Sequence, residues 1–214
     1  ISKREGIGDI LAEGSKSFGA EYGVEELAAQ VNGLELPQHD PRGFSGMAIG
    51  YATSPRGACH MSADMYNVQM GQQNEALGIV SEDRFANEAD LAARQQDFRC
   101  VTNSAVICNF YPIKAEELTE LLQKVTGWDY TVSDLAMTGE RIFTLMRLLN
   151  LKLGYSTKNE KLPEIVMTPL EGPTEGYVPD MKAQLATWYN YREWDPNTGE
   201  PSKEKLKILG LADI

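Results

Sequence analysis

Two histidines and three cysteines are the residues of this 214-residue chain whose chemistry stands out. His60 lies in Gly57-Ala58-Cys59-His60, at the end of a Gly- and Pro-rich stretch where a side chain can face a ligand. With an ordinary pKa near neutrality it could hand on a proton there. The alternative is a histidine that caps an element or completes a core. His39 precedes Asp40-Pro41 and reads as a solvated turn residue. Cys59, Cys100 and Cys108 make no CxxC pair and no zinc-finger spacing. Cys100 and Cys108 are eight apart on an expected helix, over ~10 Å along its axis at ~1.5 Å per residue. They cannot share one metal unless that helix breaks, and each alone reads as a small buried hydrophobe. Asp64, Asp83, Asp90 and Asp97 read as surface carboxylates, with no spacing that compels acid–base work. No Walker loop, nucleophile elbow or GxGxxG is present.

The elements that must position these residues read as helices. Ile7, Ile10, Leu11 and Phe18 share one helical face, and Val24, Leu27, Ala28 and Val31 a second, stopped at Asn32-Gly33. Residues 33–59 hold Pro37, Pro41 and Pro55 with Gly43, Gly46, Gly50 and Gly57, the pattern of an ordered loop or a plain connector. Ser81 is expected to cap a helix running to about Cys108, with Phe98, Val101, Ala105 and Cys108 on its core side. Leu118, Leu121, Leu122 and Val125 mark a further helix ending at Gly127. Ser133 is expected to cap the next, with Ala136, Ile142, Leu145 and Leu149 on one face. Residues 150–176 read as coil, Pro179 as a first helical residue before Met181–Arg192, and Pro201-Ser202 as the start of a last helix ending at Gly210. No strand alternation competes. The expected class is all-α, multihelical, with long ordered Gly/Pro-rich loops.

Composition narrows the function classes. Hydrophobic residues are 42% and charged residues 24%, which fits a globular chain rather than a disordered one. The net charge of −11 argues against nucleic acid and anionic membranes as partners. No apolar run approaches the ~18 residues of a membrane span. The chain opens at Ile1 without a leader-like segment, and its odd number of cysteines forms no disulfide framework, so a reduced, cytoplasmic setting is expected.

Longer stretches carry a resemblance. Leu34-Glu35-Leu36-Pro37 continues to Asp40-Pro41-Arg42-Gly43 and then to Tyr51-Ala52-Thr53-Ser54-Pro55-Arg56-Gly57-Ala58-Cys59-His60. Gly6-Ile7-Gly8-Asp9-Ile10-Leu11-Ala12-Glu13-Gly14 precedes these, and Gly139-Glu140-Arg141-Ile142, Arg147-Leu148-Leu149-Asn150, Leu162-Pro163-Glu164 and Trp194-Asp195 follow. In this order they resemble the C-terminal region of aldehyde ferredoxin oxidoreductases. The resemblance implies that residues 1–32 are the tail of a middle helical domain and 33–214 a C-terminal helical domain. It implies a tungsten- or molybdenum-bis-pterin enzyme with a 4Fe–4S cluster, oxidising aldehydes to carboxylic acids with ferredoxin as electron acceptor. An N-terminal domain of the same protein would hold much of the pterin and three cluster cysteines, so this part is expected to be inactive alone. A relative acting on another substrate, such as an aromatic acyl-CoA, and a non-catalytic helical module are the alternatives, and self-association stays open.

The resemblance also implies site residues. The family's DxxGLC motif falls on Asn103-Ser104-Ala105-Val106-Ile107-Cys108. Cys108 matches the fourth cluster ligand, and a thiolate is what such a cluster requires. Asn103 stands where the family has a pterin-contacting Asp, keeping a hydrogen-bonding side chain but losing the charge. Val106 replaces Gly, and Ile107 replaces a Leu whose contribution is through the backbone. His60 matches the histidine near the metal, with Arg56 and Gly57 shaping the same wall. Cys59 has no implied role.

Overall fold

The computed structural model describes residues 1–214, which form nine α-helices, short 3₁₀ turns and one two-stranded hairpin. The helices are α1 (Ile7–Leu11), α2 (Gly14–Glu21), α3 (Ser45–Thr53), α4 (Met65–Gln69), α5 (Ala89–Ser104), α6 (Ala115–Thr126), α7 (Val132–Lys152), α8 (Met181–Arg192) and α9 (Lys203–Ile208). The hairpin pairs β1 (Gln30–Val31) with β2 (Leu34–Glu35) in antiparallel register. The all-α expectation holds. No helix is long and apolar enough to cross a membrane.

Helix α5 is the axis of the molecule, with α3, α7 and α8 packed around it. Its sequence carries no simple apolar stripe because it is surrounded, so its polar residues must find partners inside. Gln96 donates to Thr53 Oγ1 at 2.8 Å and accepts from the Trp188 indole at 2.9 Å. Arg192 of α8 is sealed from solvent and bonds Asp97 Oδ1 at 2.6 Å and the Ala93 carbonyl at 2.8 Å. Its guanidinium also covers the Phe143 ring. Asp64 and Asp97 are therefore interior residues, not the surface carboxylates their spacing suggested. The carboxyl of Asp97 is pushed up to about 7 by burial, with Arg192 opposing.

The caps explain where several helices begin. Thr131, not Ser133, caps α7, in a reciprocal box with Asp134. Asp180 and Ser202 accept from the first turns of α8 and α9. Glycine 127 ends α6 in the left-handed region at φ 74°. The buried face of α7 is Leu135, Gly139, Phe143 and Arg147, rotated from the expected Ala136–Leu149 stripe. Two contacts set that rotation. A Cβ at Gly139 would overlap the carbonyl of Asp97 on α5, and Arg147 is buried against Glu160 at 2.6 Å.

Three local expectations are overturned. The Val24–Val31 stripe is a 3₁₀ turn followed by β1, and Asn32-Gly33, at φ 52° and 83°, is the hairpin turn rather than a helix stop. The Gly/Pro stretch 33–59 contains the wholly buried helix α3, whose Gly46 leaves room for the side chain of Met65. Ser81 does not start α5. Its hydroxyl donates to Glu88 at 2.8 Å, and Gln69 and the Glu82 amide bond the same carboxylate, which folds residues 81–88 around it. The helix begins only at Ala89 and ends at Ser104, so Cys108 lies beyond it and is exposed rather than on the core side.

Candidate active site

The residues singled out by sequence fall in two places: His60 in a 3₁₀ turn after α3, and Asn103, Ile107 and Cys108 at and beyond the end of α5. Hairpin β1–β2 lies under the loop that follows α3. The Ala58 amide donates to the Val31 carbonyl at 3.3 Å, and Gly57, at φ 96°, sits so close to that carbonyl that a Cβ would collide with it. The loop then delivers Arg56 onto the buried Cys59, whose sulfur accepts from the guanidinium at 2.9 Å. Burial raises the Cys59 thiol, but hydrogen bonds from Ser62, Arg56 and the Met61 amide outweigh it and hold the group below its ordinary value.

His60 opens a 3₁₀ turn, His60–Ser62, and is half-buried. Its ring centroid is 5.1 Å from that of His39, which stacks on Tyr66 at 4.0 Å and 8°. His39 is thus not a solvated turn residue: the stack and the Tyr51 hydroxyl on its carbonyl, at 2.8 Å, hold it inside the site. Its sequence neighbours gave no sign of this, since Tyr66 arrives from α4. Burial and the neighbouring His39 and Arg56 lower the His60 pKa, with Asp64 opposing. The His60 carbonyl accepts from the Asp64 amide at 2.8 Å. Asp64 is left-handed at φ 35° and completely buried. Its carboxylate is held by Gln95 at 2.9 Å, Asn67 at 3.1 Å and, in a two-bond fork, Nε and Nη2 of Arg99. Such strain persists only where the surroundings over-determine it.

Arg99 lies on α5, and one turn later that helix carries Asn103 to its C-terminal end. Asn103 is exposed and lines a cavity of about 690 Å³ with Arg56, Cys59, Met61, Arg99 and Asn109. His60 sits between two lining residues, Cys59 and Met61, while its own ring lies beside His39. Beyond α5 the chain turns through Val106, a β-branched residue at φ 58°. The Ile107 amide bonds the Thr102 carbonyl at 2.9 Å, and no amide bonds the Ile107 carbonyl. Cys108 follows as an exposed thiol among the exposed apolar side chains of Val106, Phe110 and Tyr111. No group of three or more His, Cys, Asp or Glu side chains could hold a metal ion.

Residues 1–211 match the family model described as aldehyde ferredoxin oxidoreductase, domains 2 and 3. The tungsten-containing aldehyde ferredoxin oxidoreductase of Pyrococcus furiosus is 37% identical over 227 residues, covering all of this chain and 36% of that protein. The chain belongs to this family. The corresponding protein of Pyrococcus horikoshii is 36% identical over 223 residues, again with 36% of its length covered. The aliphatic sulfonate oxidoreductase WOR-like subunit of Pyrococcus furiosus is 28% identical over 227 residues. The chain thus spans about a third of the length of these curated relatives. In the solved structures, the active-site complex BamBC of benzoyl coenzyme A reductase, bound to 1,5-dienoyl-CoA, shares the fold. Its TM-score is 0.71 at 18% identity, over 98% of this chain and 37% of that one.

The donor set fits the family's cofactors in part. One exposed thiol in the turn beyond α5 can supply a single cluster ligand, and the chain's other thiols, Cys59 and Cys100, are buried. The Asn103 amide and the unbonded Ile107 carbonyl offer the donor and acceptor that a pterin edge requires.

Proposed function

We propose that this chain is the C-terminal part of a tungsten- or molybdenum-pterin, iron–sulfur oxidoreductase that oxidises aldehydes to carboxylic acids and passes electrons to ferredoxin in the cytoplasm. The observation that carries this reading is the family match over residues 1–211. Residues 1–32 would then be the tail of the middle domain and 33–214 the C-terminal domain. An N-terminal domain of the same protein would complete the cofactor sites, and this part alone would be inactive. When bound, the metal-pterin centre supplies two-electron redox chemistry and the cluster passes the electrons on singly. This chain's residues do the rest. Cys108 supplies one thiolate to the cluster. Asn103 and the Ile107 carbonyl would hold the pterin edge, and Arg56 and Asn103 form part of the cavity wall. Conversion of an aldehyde and water to a carboxylic acid releases two protons with two electrons, and His60 receives one of those protons.

A different substrate within the family is the second reading. The neutral Asn103 and the similarity to a sulfonate oxidoreductase subunit favour it.

The test is His60→Ala in the full-length protein. Turnover should fall ~10²–10⁴-fold, as for loss of a general acid or base, with tungsten or molybdenum and iron content unchanged. Undiminished turnover would remove His60 from the mechanism.

A further inference from the structure

We propose that His39 and His60 act as a coupled imidazole pair, in which His39 holds His60 in its neutral, proton-accepting form. This rests on the reading of His60 as the proton acceptor. The geometry carries it. The two rings lie 5.1 Å apart, and His39 cannot swing away because it is stacked on Tyr66 at 4.0 Å. Its backbone is tethered by Tyr51.

The charged groups around the pair offset this repulsion only in part: Asp64 opposes it but is shared with other partners. Asp64, the carboxylate nearest in sequence to His60, is engaged by Arg99, Gln95 and Asn67. Asp40, next to His39, is engaged by Arg42 through both its oxygens. Arg56, from the preceding loop, adds positive charge and points at Cys59. Tyr66 and Tyr51 bring phenols, not carboxylates. A positive charge on His39 therefore opposes a proton on His60. The lowered pKa of His60, with burial and His39 as its first two causes, agrees with His60 being the member that yields. The consequence is chemical: an uncharged His60 at neutral pH presents a ring nitrogen that accepts a proton, whereas an imidazolium could only donate one.

The chain contains two histidines, so its imidazole NMR signals are two and each titration is read directly. Even at the dielectric of water, a unit charge at this distance displaces a titration by about 0.6 pH unit, roughly fourfold in proton affinity. In His39→Gln the His60 midpoint should rise by at least that amount. His39→Phe, which keeps the stack on Tyr66, should give the same rise, and it serves if the glutamine variant does not fold. A His60 midpoint that stays within ~0.2 unit in the variants overturns the pair. The titration reads the coupling whatever the enzyme does. A coupled pair together with full turnover in His60→Ala would instead sink the proposed role of His60 and leave the pair standing.

Discussion

At the scale of single residues, the three cysteines separate by environment. Cys100 is buried in α5, and burial pushes its thiol up to about 12, so it stays protonated. Cys59 is buried but held by Arg56 at 2.9 Å. Cys108 alone is exposed, one residue after the half-buried Ile107. A cluster ligand must be a thiolate within reach of iron supplied from elsewhere. In the full-length protein, Cys108→Ala should therefore abolish or alter the cluster's EPR signal, while Cys100→Ala should preserve it. The opposite result would move the ligand role into the core. The six-residue motif that the resemblance places over residues 103–108 is what singles out Cys108 for this test. The sequence did not show that α5 stops at Ser104, which frees this thiol from the core, because nothing after Cys100 breaks a helix by composition.

At the scale of elements, the exit from α5 is set by one backbone angle. Val106 occupies the left-handed region at φ 58°, where a β-branched side chain is strained by ~1–2 kcal/mol. The resemblance places glycine at this position, and the turn explains why. Val106 is also 90% exposed, so its side chain contributes little packing in this chain. Val106→Gly should raise stability by ~0.5–1 kcal/mol, the relief of strain exceeding the extra freedom of the unfolded chain. An unchanged or lower urea midpoint would show that Val106 is not strained in solution. The α5–α7 crossing makes the opposite case. Gly139 packs directly on the Asp97 carbonyl, which cannot move without breaking α5, so Gly139→Ala should destabilise by ~1–3 kcal/mol or more. The rotation of α7 onto Gly139 and Arg147 was hidden from its own sequence, since an apolar stripe cannot register a glycine contact or an arginine buried by a distant glutamate.

At the scale of the whole molecule, buried charge and net charge act together on pH dependence. The folded state raises the carboxyl of Asp97 from 3.8 to about 7, so between those values the folded chain binds more protons than the unfolded one. A raised acid pKa means stability that is present at low pH and lost as pH rises through the folded value, by on the order of 1 kcal/mol per pH unit. Self-repulsion at a net charge of −11 works in the same direction. Asp40, Asp134 and Asp195 are lowered in the folded state and act oppositely, but only as pH falls below the ordinary carboxylate range; His60, lowered from 6.5, opposes Asp97 below its ordinary value, by a smaller shift. Urea unfolding should therefore show greater stability near pH 5 than near pH 8, and Asp97→Asn should flatten that slope. A stability that climbs steadily from pH 5 to pH 8 would contradict it.

The helical class, the start of the last helix at Pro201-Ser202, the end of α6 at Gly127 and the family resemblance could all be read along the chain. These are written in local spacing and short runs, where a residue type and its near neighbours fix the outcome. Which residues became interior followed from long-range packing. It buried Asp64 and Asp97 beside Arg99 and Arg192, turned a Gly/Pro stretch into the buried helix α3, and brought His39 against His60 and Tyr66. The physical reason is that burial of a charge or a ring depends on partners far away in the chain. Arg192 reaches Asp97 across 95 residues, and no periodicity around either one records the other.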